Sequence, residues 1–126
     1  MRGLVVFFLV LLFGGCSDSP SDAGATAEVV ADEGGSFSDC VTIITTVCNF
    51  IGEGRNLGPD CAQNVRGVTR FYRSGGGQVG AAASWEGPFH LRPGEAFTYR
   101  VNNVGPPITN EAVSYGAEAS WTSVRC

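Results

Sequence analysis

Most of the chain beyond residue 39 alternates between apolar and polar positions, and no segment repeats with the period of a helix. Five segments have this alternation or a high content of β-branched residues, namely 40–50, 61–73, 78–85, 96–101 and 112–125. Glycine and proline separate them at intervals typical of β-turns. The pattern predicts an all-β domain of five to seven strands, arranged as a sandwich.

Two stretches rich in turn-forming residues predict long loops over residues 51–60 and 102–110. The alternation also predicts which side chains share a face of a strand, namely Val65, Gly67, Thr69 and Phe71 in one strand and Phe97, Tyr99 and Val101 in another. The core candidates are Val113, Tyr115 and Trp121. Gly67, inside a predicted strand, indicates a bulge or a close approach of another group to the backbone.

The first residues form a short targeting signal. Arg2 precedes an unbroken apolar run over residues 4–13, which fits a signal peptide and is too short to span a bilayer. Gly14-Gly15-Cys16 then resembles a bacterial lipobox, which implies a signal peptide over residues 1–15 and acylation of Cys16. The alternative is an ordinary secretory signal cut nearby.

The lipobox resemblance implies contact with a membrane through lipid on Cys16. In such lipoproteins an aspartate directly after the acylated cysteine favours the inner membrane. Ser17 stands there instead, which implies a lipid-anchored envelope protein of the outer membrane, on its periplasmic or surface face. Residues 16–39 contain six acids and no base, and they predict an acidic, disordered tether. A short helix over residues 25–32 is the alternative.

The domain is predicted over residues 40–126 and is nearly neutral, with six acids and seven arginines. This balance excludes nucleic acid as an expected partner, because no basic field is present to bind phosphates.

Once Cys16 is assigned to lipid, four cysteines remain, and their even number behind a signal peptide predicts two disulfides. Sequence alone leaves three pairings open. We favour Cys48–Cys61, which flank one predicted loop, together with Cys40–Cys126, which would join the ends of the domain.

Several short motifs follow one another within residues 41–101. They are Val47-Cys48-Asn49 followed by Gly58, then Cys61-Ala62-Gln63-Asn64-Val65, then Phe71-Tyr72 before a glycine turn, then Leu91-Arg92-Pro93-Gly94-Glu95 followed by Phe97. In this order they resemble the motifs of FxLYD-type bacterial modules. The resemblance implies a single Ig-like antiparallel β-sandwich of about seven strands and supplies no catalytic residues.

Candidate catalytic chemistry is sparse. His90 is the only histidine, and it lies in a turn between two prolines. No catalytic motif and no clustered Cys/His spacing is present, so we expect no enzyme, no cofactor and no metal.

Five residues are candidates for binding: Arg55, Leu57, Trp85, Arg66 and Arg70. Trp85 could line a sugar-binding face or belong to the core. Arg66 and Arg70 share one strand face, which is either solvated or docks an acidic partner. We expect a lipid-anchored binding or structural module that recognises an envelope protein or glycan. The alternative is an inhibitor of a periplasmic or host hydrolase, such as a lysozyme or a protease, acting through a rigid loop over residues 51–60 with Arg55 or Leu57 as its anchor.

Overall fold

The computed structural model describes residues 24–126, so Cys16 and the predicted signal peptide lie outside the described residues. This part of the chain contains seven strands and one short helix. They are β1 (Val29–Thr42), β2 (Thr46–Asn56), β3 (Cys61–Tyr72), β4 (Gln78–Glu86), β5 (His90–Leu91), β6 (Ala96–Val104), α1 (Ile108–Glu111) and β7 (Ser114–Val124). Within residues 24–126, no helix has the length and apolar character needed to cross a membrane.

The strands form two antiparallel sheets that pack face to face. In the first sheet β2 lies between β1 and β6. In the second sheet β3 is central, with β7 along one side and β4 followed by β5 along the other. Aromatic side chains from both sheets meet between them, and the predicted all-β sandwich of about seven strands is confirmed.

The domain begins earlier than the sequence predicted. Residues 26–39 form neither a disordered tether nor the alternative helix, because β1 starts at Val29 and pairs with β2. Ala27, Val29 and Ala31 alternate along this segment and are buried. Their period of two is the strand signal, and it was obscured because these side chains are small and acidic residues lie in and beside the segment, at positions 28, 32 and 33.

Residues 40–50 were predicted to form one strand, but they form a hairpin, because β1 ends at Thr42 and β2 begins at Thr46. The predicted loop over residues 51–60 is also wrong for its first half, because β2 continues to Asn56 at the centre of its sheet. The second predicted loop begins only at Gly105, after β6, and it contains α1.

The strand faces predicted from the alternation are confirmed, and both face the core. Val65, Thr69 and Phe71 are buried on one face of β3, as are Phe97, Tyr99 and Val101 on β6. Tyr115 and Trp121 are partly buried and pack against this cluster. Val113 was predicted wrongly: it precedes β7 and is 70% exposed.

Two glycines make room for aromatic rings. Gly52 lies opposite Tyr99 and Gly67 lies opposite Trp85, and a Cβ atom at either glycine would occupy the space of the ring. The rings of Trp85 and Tyr99 stack between the sheets with centroids 4.0 Å apart. The close approach predicted at Gly67 is therefore confirmed, and Gly52 lies within a strand instead of marking a loop.

The hydroxyl of Thr69 connects these two rings. It accepts a hydrogen bond from Trp85 Nε1 at 3.0 Å and donates one to the Tyr99 hydroxyl at 2.9 Å. Burial raises the pKa of the Tyr99 phenol, because desolvation penalises the charged phenolate. The polar atoms at the centre of the core are thus satisfied by one another.

All four cysteines of the domain form disulfides, but not in the favoured pairing. Cys40 bonds Cys48 and Cys61 bonds Cys126. Cys40 and Cys48 face each other across the β1–β2 hairpin. Cys48 and Cys61 do not meet, because the residues between them run as an extended strand and carry the chain to the other end of the sandwich.

The strands run between two ends of the sandwich, which we call the N-terminal pole and the distal pole. Residues 24–28, 57–60 and 92–95 and the end of the chain lie at the N-terminal pole. The turns over residues 43–45, 73–77 and 105–113 lie at the distal pole. At about 3.3 Å per residue, β2, which pairs with β1 from Val29 to Thr42, places the poles roughly 33 Å apart.

Candidate functional site

Arg55 and Leu57 do not form a protruding loop. Arg55 lies in β2, where its Nε is 3.2 Å from Glu33 Oε1 and its Nη1 donates to the Gly94 carbonyl at 2.7 Å. Leu57 is 55% exposed at the N-terminal pole, and its backbone N–H donates to the Glu28 carbonyl at 2.7 Å. The structural basis of the inhibitor hypothesis, a rigid loop over residues 51–60, is therefore absent.

Trp85 belongs to the core and not to an exposed sugar-binding face. Only 4% of its surface is exposed, because its ring lies between Gly67 and Tyr99. An open groove of about 620 Å³ runs between β4 and β6 past the edge of this ring. Glu86 and Arg100 line the groove, and Arg100 is paired with Asp39 at 3.2 Å.

Arg66 and Arg70 lie on the outer face of β3, as predicted, but acidic residues of the neighbouring strands lie beside them. The Arg70 guanidinium is 3.2 Å from Glu118 on β7. Arg66 is paired in register with Glu86 on β4 and Ser120 on β7. This mixed arrangement is typical of a solvated sheet face, and it gives the surface no uniform positive charge.

His90 is exposed, and its Nδ1 lies 3.4 Å from Gln63 Nε2. A catalytic histidine needs a nucleophile within hydrogen-bond reach and a group that orients its ring. An amide is the only side chain with which His90 forms a hydrogen bond among the described residues. Residues 24–126 also contain no group of three or more His, Cys, Asp or Glu placed to bind a metal ion.

The most unusual surface of the described chain is the turn of the β1–β2 hairpin at the distal pole. Ile44 is 93% exposed, Ile43 is 87% exposed and Val41 is 60% exposed. We call residues 41–47 the tip. Isolated apolar residues are common on protein surfaces, but three within four positions, at the end of a hairpin, indicate a contact site.

The tip is held in a defined conformation. The Cys40–Cys48 disulfide closes its base. The hydroxyls of Thr42 and Thr46 form a hydrogen bond of 2.8 Å just below the turn, and the Thr109 hydroxyl donates to the Thr46 carbonyl at 2.9 Å. Because these contacts already restrain the backbone of the tip, the backbone loses little further entropy on binding.

Charged residues around the tip are neutralised in pairs. Asp39 is 3.2 Å from Arg100 below the tip, and Arg73 is 2.9 Å from Glu111 across the distal pole. Residues 40–52 and 101–110 contain no charged side chain at all. The distal end of the first sheet therefore carries no net charge.

The N-terminal pole is organised around Asn56, which sequence reasoning did not single out. The side chain is fully buried. Its Nδ2 donates to the carbonyls of Asp60 and Leu91 at 2.9 and 3.1 Å. Its Oδ1 accepts from the backbone N–H of Gly58 and of Glu28 at 3.0 and 3.2 Å. One side chain thus joins the start of the described chain, the β2–β3 turn and β5.

Comparison of this chain with protein-family models, with curated proteins and with solved structures finds no match in any of the three.

Proposed function

We propose that this chain is a lipid-anchored module of the bacterial cell envelope that acts by binding, and that its contact element is the tip. The observation that carries the proposal is the exposure of Val41, Ile43 and Ile44 on a hairpin closed by a disulfide. Contiguous apolar surface on a folded domain has a free-energy cost in water, and it is typically retained where something covers it in use.

The position of the tip supports this role. The described chain begins at the N-terminal pole, where the Thr26 N–H donates to the Asp60 carboxylate at 2.7 Å, and the tip lies at the opposite pole. An anchor on Cys16 would therefore leave the tip unobstructed. Two disulfides agree with an oxidising compartment, which the envelope provides.

The chemistry of the tip favours an apolar surface over a glycan as the partner. Sugar sites use exposed aromatic faces and several directed hydrogen-bond groups. Trp85 is buried, and the Thr42 and Thr46 hydroxyls are paired with each other. The resemblance of residues 41–101 to FxLYD-type modules agrees with binding and does not specify a partner.

Two measurements test the proposal. Mass spectrometry of the membrane and soluble fractions should show that Cys16→Ala loses the mass of the acyl chains and moves to the soluble fraction; an unchanged mature mass would rule out the anchor. A photoreactive residue at position 44 should form cross-links in intact cells. The matched control is position 74, in another exposed turn at the distal pole. Equal yields at both positions, or none at position 44, would refute the tip as the contact element.

A further inference from the structure

We infer that the tip contacts the surface of a lipid bilayer, into which Ile43 and Ile44 insert. This rests on the proposal that the tip is the contact element, and it names the partner. A tip that enters hydrocarbon must be apolar at its end, must carry no unpaired charge nearby and must keep its polar groups paired or near the water. The distal pole meets the first two conditions, and the third limits how deeply the tip enters.

The end of the tip is the first part of the argument. Ile43 and Ile44 are consecutive, so both side chains extend from the turn itself, and Val41 adds apolar surface two residues before it. Together they have fewer carbons than one myristoyl chain, which alone gives reversible binding with an association constant of about 10⁴ M⁻¹. The tip is therefore suited to weak, reversible insertion.

The polar groups set the depth of insertion. The hydroxyls of Thr42 and Thr46 satisfy each other directly below the turn. The outer edge of β1 pairs with no other strand among the described residues, and its free N–H and C=O groups must stay in the hydrated headgroup region. Insertion thus ends near Thr42 and Thr46 and does not span the membrane.

Charge and composition favour a bilayer over a cleft in a protein. The residues between Cys40 and Cys48 include no tryptophan, tyrosine or arginine, the side chains that most often dominate the energy of protein interfaces. The nearby charges are already paired, Asp39 with Arg100 and Arg73 with Glu111, so the tip offers no charged rim to orient a protein partner. Fluid hydrocarbon requires no such directed contacts.

The link to the anchor permits this contact. Eight peptide units separate Cys16 from Gly24, and at about 3.5 Å per residue they reach at most roughly 28 Å. This length allows the domain to tilt until the tip meets the bilayer that holds the lipid. An acylated chain would then be attached at two points, permanently at Cys16 and reversibly at the tip.

Flotation with phosphatidylcholine vesicles tests the inference on the chain from Ser17 onward, which lacks Cys16 but retains all seven strands and both disulfides. We expect this chain to float with neutral vesicles. Binding should persist at about 1 M salt, where the Debye length falls to about 3 Å, and should not increase with phosphatidylglycerol. Ile43→Ser/Ile44→Ser should weaken partitioning on the order of 100-fold, since both inserted side chains are lost.

The matched control is Leu57→Ser/Phe89→Ser, which removes two exposed apolar side chains away from the distal pole. Its partitioning should equal that of the unaltered chain, and circular dichroism should show that both variants stay folded. Three results would overturn the inference: no flotation of the unaltered chain, equal loss in both variants, or binding that requires anionic lipid. If vesicles do not bind while position 44 still cross-links to a protein in cells, the bilayer is excluded and the proposed function stands.

Discussion

The two poles of the sandwich are held together by the same kinds of bond, but one buries its most distinctive side chain and the other exposes its own. Each has a disulfide and a hydrogen-bonded polar side chain, Asn56 at the N-terminal pole and the Thr42–Thr46 pair at the distal pole. The N-terminal pole buries its asparagine completely and satisfies both polar atoms of its side chain. The distal pole leaves two isoleucines almost fully exposed.

This difference indicates a division of labour within one small domain. Buried, fully satisfied polar networks contribute to stability and to a unique packing. Exposed apolar residues contribute nothing to the core, so the stability of a domain that has them must come from its other residues. We therefore expect substitutions at the N-terminal pole to unfold the protein and substitutions at the tip to change what it binds.

Loss of the Cys61–Cys126 disulfide should have the largest effect. This bond closes a loop with a sequence separation of 65 residues. In the chain-entropy model, Cys61→Ser/Cys126→Ser should lower the free energy of unfolding by about 4 kcal/mol. Urea denaturation measures it; a smaller loss than for the hairpin disulfide would contradict the assignment of stability to the N-terminal pole.

Asn56→Ala should lower the free energy of unfolding by about 3 kcal/mol, because it leaves buried N–H and C=O groups without partners. Thermal unfolding followed by circular dichroism measures the change. Asn110→Ala is the control, since that side chain is exposed in the α1 segment, and it should shift stability by less than about 0.5 kcal/mol. Similar losses in both variants would show that Asn56 does not organise the pole.

Loss of the hairpin disulfide should cost less, because Cys40 and Cys48 are only eight residues apart. Cys40→Ser/Cys48→Ser should lower the free energy of unfolding by about 2.5 kcal/mol in the chain-entropy model. Hydrogen exchange should accelerate at Thr42 and Thr46 more than in β3. Uniform acceleration through both sheets would mean that this bond contributes only to global stability and does not hold the tip.

The smallest effect on stability is expected at the tip itself. Ile43→Ser/Ile44→Ser should leave the free energy of unfolding within about 0.5 kcal/mol, because neither side chain packs against the core. Urea denaturation at neutral pH checks this. A loss of more than about 1 kcal/mol would show that the isoleucines stabilise the hairpin and would weaken their assignment to binding.

The fold class could be predicted from sequence because alternation over residues 61–73 and 96–101 is strong and local. The start of the domain could not, because Ala27, Val29 and Ala31 are too small to reveal a strand among acids. The favoured disulfide pairing was wrong because it assumed a loop between Cys48 and Cys61. Glycines at 52 and 54 suggested a loop, although each lies in a strand beneath an aromatic ring from the neighbouring strand.

The tip and Asn56 also escaped sequence reasoning, for different physical reasons. Ile43 and Ile44 lie in a β-branched run that normally predicts a buried strand, and no glycine, proline or asparagine marks the turn that contains them. Asn56 gains its role from partners in three separate segments, which only the folded chain brings together.

The glycine–aromatic pairs have an evolutionary consequence. At Gly52 and Tyr99 neither partner is free to change by itself, since a side chain on the glycine would displace the ring and a smaller residue at position 99 would leave a void over the glycine. At Gly67 a Cβ atom would also meet the backbone carbonyl of Glu118, so a smaller residue at position 85 would not make room for it. Relatives that differ at position 52 should therefore differ at position 99 as well, whereas Gly67 should be retained whatever stands at position 85.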